Sequence, residues 1–108
     1  MSWNLLIYNE SGDPLGDLAS VTTKLDSTFR GLEWNSPLEA ILPVARGFRL
    51  ELRAEEDVVQ DIYTDGGFDH IKQLAALCKR EGWRIADAQE GEEVDLDDPQ
   101  RWYDERNG

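Results

Sequence analysis

Trp3 to Tyr8 is a short apolar run rich in strand-forming residues, and the turn residues Asn9-Glu10-Ser11-Gly12 close it, so the pattern predicts a buried strand. Asp13-Pro14 then carries a helix-start signature: Asp13 can cap free N–H groups and Pro14 suits the first helical position. Leu15, Leu18, Ala19, Thr22, Leu25 and Phe29 follow at helical spacing, and Gly31 supplies a left-handed residue to stop the helix. From Leu32 to Gly47 the periodicity fades. Pro37 and Pro43 interrupt it, and Leu38 to Val44 suggests only a short edge strand.

The signal sharpens at Phe48, Leu50 and Leu52, which alternate with Arg49, Glu51 and Arg53 as in a strand with one wet face. Ala54 to Asp57 is a polar connection of hairpin length, and Val58 to Thr64 is the return strand. Its apolar residues fall on both parities (Val58 and Ile62, Val59 and Tyr63), so its inward face is ambiguous. Asp65-Gly66-Gly67 turns the chain into a second helix, whose face is Phe68, Ile71, Leu74, Ala75 and Cys78. Lys79 and Arg80 suit the negative end of its dipole, and Gly82 its stop. Trp83 to Ala88 reads as a last strand, with Glu90-Gly91-Glu92 turning into Glu93 to Leu96. Pro99 reads as the end of regular structure.

The order strand, helix, strand pair, helix, strand is the split βαβ, or ferredoxin-like, arrangement βαββαβ. It predicts an α+β domain with two helices packed on one face of a four- to five-stranded, mostly antiparallel sheet. Residues 1–98 are expected to form that single domain and residues 99–108 a polar tail.

Charge changes the picture most. The chain has 23 Asp plus Glu against 11 Lys plus Arg, a formal net of −12 in 108 residues. Between Glu90 and Gly108 stand eight acids (Glu90, Glu92, Glu93, Asp95, Asp97, Asp98, Asp104, Glu105) and two bases, Arg101 and Arg106. Such a surface repels nucleic acid and anionic membrane and attracts basic partners. Four Trp, three Tyr and three Phe argue for a folded core despite the charge. A single cysteine, Cys78, leaves no internal disulfide and no cysteine-built zinc cage. No apolar run approaches the ~20 residues of a membrane span, and the N-terminus lacks a signal-peptide pattern. The expectation is a cytoplasmic protein without a cofactor.

The candidates for chemistry are sparse. His70, beside Asp69, is the lone histidine, with no nucleophile in a recognisable motif around it; an exposed surface residue is the plainer reading. Cys78 lies on the apolar helix face, at the helix end that does not favour a thiolate. The run Glu90 to Asp98 offers hard oxygens for calcium, but the glycine and glutamate spacing of an EF-hand is missing, and no metal site is expected. Asp65-Gly66-Gly67 lacks the lysine of a phosphate loop. An enzyme is therefore not expected. The same acids, mixed with Trp102 and Tyr103, read as a recognition surface, against the plainer alternatives of a solvated charge run and a Trp102 folded back on the sheet.

Leu74-Ala75-Ala76-Leu77-Cys78, Glu81-Gly82-Trp83-Arg84, Asp87-Ala88-Gln89-Glu90-Gly91-Glu92 and Asp95 together look like a recurrent C-terminal half of small bacterial proteins: a helix, a Gly-Trp step, a strand and an acidic turn. Pro14 to Leu18 and Gly31-Leu32-Glu33-Trp34 are similar in layout only. Small acidic proteins of this kind resemble the immunity proteins of polymorphic toxin systems (type VI, contact-dependent or Rhs). The resemblance implies an inhibitor of a cognate toxin domain of basic character. The residues expected to bind the partner are Glu55, Glu56 and Asp57 in the hairpin and Glu90, Glu92, Glu93, Asp95, Asp97, Asp98, Trp102 and Tyr103 near the C-terminus. The alternative is a small-molecule-sensing or regulatory module of ferredoxin-like type.

Overall fold

In the computed structural model, which describes residues 3–43, 48–66 and 70–107, the described residues form seven strands and three helices. They run β1 (Trp3–Asn9), β2 (Gly16–Asp17), α1 (Leu18–Thr28), β3 (Glu33–Ser36), β4 (Glu39–Ile41), β5 (Arg49–Glu55), β6 (Val58–Gly66), α2 (Ile71–Glu81), β7 (Trp83–Asp87) and α3 (Pro99–Asn107). The sheet order is β3-β4-β5-β6-β1-β7, with β2 also on β6, and every pairing is antiparallel. The architecture is α+β as expected. The strand count and order are not those expected: β2 precedes α1, the β3–β4 hairpin stands between α1 and β5, and α3 follows β7. The hairpin lies where periodicity faded, because strands of four and three residues are too short to show a period. Pro37 sits in its turn, and β3 rather than β4 stands at that edge of the sheet.

Register places Leu5 and Ile7 of β1 beside Thr64 and Ile62 of β6, and these beside Leu50 and Leu52 of β5. Ile85 of β7 pairs with Ile7 on the other side. All are buried on one face of the sheet, and all but Thr64 belong to one hydrophobic cluster with Val21 and Leu25 of α1, with Ile71, Leu74, Leu77 and Cys78 of α2, and with Trp102 of α3. Each such aliphatic side chain contributes about 1.5–3 kcal/mol when removed from water.

The ambiguity of the return strand has a structural cause. Arg53 pairs with Asp61, but the next residue, Ala54, pairs with Val59, so Gln60 is an extra residue in β6. A bulge of this kind switches parity along the strand. Ile62 and Thr64 face the core on one side of it and Val59 on the other, with Val59 fully buried and Val58 half-buried.

Two helix boundaries differ from the expectation. The first helix begins at Leu18, not at Pro14, and its cap is Asp17, whose Oδ1 accepts from the Ser20 N–H at 2.7 Å. Asp13 instead accepts from the Ser11 hydroxyl, and the Leu15 N–H donates to the Val59 carbonyl at 2.8 Å, so this segment lengthens the sheet. Gly16 at φ +145° keeps the chain out of the helix. The helix stops at Phe29 in extended geometry, and Gly31 takes its positive φ two residues later. The second correction is at the C-terminus. Residues 99–107 are helical, with Pro99 in first position and Asp98 Oδ1 accepting from the Arg101 N–H at 3.1 Å. The Asp-Pro signature read at Asp13-Pro14 works at Asp98-Pro99, because Trp102, 6% exposed, fixes that helix to the core. The second helix follows its pattern, and Gly82 ends it at φ +76° with its N–H on the Cys78 carbonyl. The expectations for Val44, Gly67 and Phe68 lie outside the described residues.

Candidate functional site: an acidic hairpin tip and an uncovered sheet face

Hydrogen bonding carries β5 as far as Glu55 and starts β6 at Val58, so the connection is only Glu56 and Asp57. A two-residue turn that follows the sheet twist needs positive φ at both positions, which is why Asn-Gly is the usual choice. Here Glu56 stands at φ 52° and Asp57 at φ 64°. Non-glycine residues there cost of order 1 kcal/mol each, and aspartate tolerates the region better than glutamate. The turn is held from beneath: the Leu18 N–H donates to the Asp57 carbonyl at 2.8 Å, and Asp17 pairs with Val58. Glu55, Glu56 and Asp57 are all exposed.

The other expected binding residues lie elsewhere. The tip stands at the end of the sheet where β1 finishes and β7 begins, whereas Glu90 sits in the turn that follows β7, at the opposite end. The chain then returns beside β7 through the pair Ala86–Glu93 and a bond from the Val94 N–H to the Ile85 carbonyl. Several of the acids have structural work. Glu93 accepts from the Tyr8 hydroxyl at 2.6 Å, and Asp95 from the Asp97 N–H at 2.9 Å. Asp97 pairs with Lys79, which holds its carboxyl below the usual range, and Asp98 caps α3. Glu92 is exposed. Trp102 is turned into the core and Tyr103 packs beside it, so Trp102 offers a partner almost no surface. The structure thus separates the expected residues into a tip and a strip along β7 and α2.

What pattern reading left unassembled is the second face of the sheet. The three helices join the core on one face; on the other, no helix packs among the described residues, which are exposed or half-buried except for Ala86, which is buried. Across its middle, each registered to the next, stand Glu39, Glu51, Tyr63, Leu6, Ala86 and Glu93. One step along lie Ile41, Arg49, Asp65 and Asn4; one step the other way are Arg53 with Asp61, and Tyr8 with Arg84. The arginines are all engaged. Arg53 Nε is 2.6 Å from Asp61 and its guanidinium lies over the Tyr63 ring; Arg49 reaches Asp65 at 3.3 Å and Glu39 at 3.8 Å; Arg84 reaches Glu10 at 2.7 Å. The bond to Glu93, and then burial, push the Tyr8 hydroxyl up to about 12. The alternation at Arg49 to Arg53 showed this wet face in the sequence, but nothing in the pattern told which strands would share it.

The lone histidine and cysteine are both placed by packing. His70 stands at the N-cap of α2 without a capping bond, half-buried, with its ring centroid 5.6 Å from Phe48 and 6.3 Å from Phe29. It is more enclosed than the exposed residue expected. Cys78 is fully buried, and burial pushes its thiol up to about 12, the reverse of what a nucleophile needs. Among the described residues no three His, Cys, Asp or Glu come together to hold a metal ion, and no helix is long and apolar enough to cross a membrane. No family model, curated protein or solved structure matches this chain.

Proposed function

We propose that the chain is a cytosolic immunity protein: it binds and neutralises a cognate bacterial toxin domain of basic character and carries out no turnover of its own. The observation that supports this reading is the hairpin tip. Three consecutive acids are exposed there, and two hold a backbone geometry that asparagine and glycine would occupy at lower free energy. Local strain kept at an exposed charged turn favours presentation of those charges to another molecule. The net charge of −12 adds long-range attraction for a basic domain, which speeds encounter and weakens with salt. The test is co-expression with the toxin domain encoded beside this chain's gene. Growth should be rescued, and the purified pair should associate at a rate that falls steeply with ionic strength. Unrelieved growth arrest with no measurable binding would overturn the reading.

A second reading, a small-molecule-sensing module of ferredoxin-like type, draws on two observations. With β2, the β3–β4 hairpin and α3 set aside, the remaining elements run strand, helix, strand, strand, helix, strand. A groove of about 410 Å3 also lies between the end of α2 and residues 93–97, with Cys78 and Trp83 in its lining. Lys79, Arg84, Glu93 and Asp97 line it too, so it is more charged than ligand pockets usually are. A metabolite that raises the melting temperature with dose would favour this second reading.

A further inference from the structure

We propose that the uncovered sheet face is the docking surface for a basic protein partner, with Leu6 and Tyr63 as its apolar centre and Glu39 and Glu51 receiving the partner's cationic side chains. This rests on the reading of the chain as a partner-binding protein and deepens it.

The arrangement is that of an interface. Leu6, Tyr8 and Tyr63 are half-buried at the middle of the face, and charged groups surround them. Binding energy concentrates in such aromatic centres, and the polar rim excludes water and sets orientation. The charges point to the kind of partner. Glu39, Glu51, Asp61, Asp65 and Glu93 stand against Arg49, Arg53 and Arg84, and each of these arginines is already held by an acid. Glu39 and Glu51 are directly opposite one another across β4 and β5. Like charges in that position destabilise a sheet. Arg49 offsets Glu39 in part, but among the described residues none pairs with the Glu51 side chain. A lysine or arginine from a partner would relieve that repulsion, so the face is better satisfied bound than free.

The same charges disfavour a second copy of this chain. A two-fold pair would set this acid-rich face against itself, with a net charge of −12 on each molecule.

Glu51→Lys is the decisive variant, because it separates folding from docking. It replaces a repulsive cross-strand pair by an attractive one, so its melting temperature should equal or exceed that of the parent chain. It should also weaken binding of the adjacent-gene toxin domain, made catalytically inactive and used as the probe, by at least tenfold. Tyr63→Ala, checked by circular dichroism for an intact fold, should do the same. If the parent chain binds the probe and both variants bind it equally well, the face is not the docking surface, although the partner-binding reading stands. If sedimentation shows the parent chain to be a dimer that Glu51→Lys or Tyr63→Ala disrupts, the occupant is a second copy and the proposal fails. If the parent chain does not bind the probe, both readings fail together.

Discussion

At the scale of single residues, Glu56 and Asp57 hold a backbone geometry that lowers stability, which makes the proposed role of the tip testable. Replacing them with asparagine and glycine supplies the residues that positive φ favours, and should stabilise the fold by about 1 kcal/mol. For a domain of this size that is a rise of roughly 4–8 °C in melting temperature, readable by calorimetry. The same replacement removes two charges from the tip and should slow association with a basic partner. Cys78 gives a simpler test. Its buried thiol should stay unmodified by a disulfide reagent in the folded protein and react at once in denaturant. The core role of Cys78 was legible from its spacing with Ile71, Leu74 and Ala75. The backbone geometry at Glu56 was not, because nothing in the residue names Glu-Asp suggests a turn that prefers Asn-Gly.

At the scale of elements, helices with a strong apolar face were legible and their ends were less so. α2 and its Gly82 stop follow the pattern closely. α1 and α3 show how one dipeptide, Asp-Pro, starts a helix at Asp98-Pro99, where a tail was expected, and not at Asp13-Pro14, where a helix was. After Asp13-Pro14 the Leu15 N–H finds a sheet partner in the Val59 carbonyl, and Asp17 provides a better cap four residues on. After Asp98-Pro99 the Asp98 side chain caps the helix itself, and Trp102 holds the turn on the core. Two changes test this account of α3. Asp98→Ala removes the cap and should cost about 1 kcal/mol. Trp102→Ala should cost about 3–5 kcal/mol, seen as a lower urea midpoint. If α3 were a loosely attached tail, neither substitution would move the midpoint. The β3–β4 hairpin was not legible, since strands of four and three residues are too short for the alternation to stand out.

At the scale of the whole molecule, acid should unfold this protein partly through the contact between its first two helices. Lys24 of α1 lies 2.6 Å from Glu81 of α2, and that bond, acting against the opposing effect of burial, sets the Glu81 carboxyl below its ordinary 4.5. A carboxyl lowered in the folded state adds stability above its unfolded pKa and loses it as the pH falls through the folded one. Stability contributed by this pair should therefore be full at neutral pH and decline below about pH 4.5. Glu81→Gln should lower the urea midpoint at pH 7 and make less difference at pH 3. An equal shift at both values would mean that the pair contributes packing alone.

The extra residue at Gln60 has a consequence for how this molecule tolerates change. It divides β6 into an outer part that carries the tip and an inner part registered to β1 and β5. A bulge locks the pairing of the strand it interrupts, so a longer, shorter or differently charged tip need not slide the inner part along its neighbours. Changes of length or charge at the tip are thereby uncoupled from the layout of the wide face, so one end of the sheet can be redesigned without resetting the register of its middle.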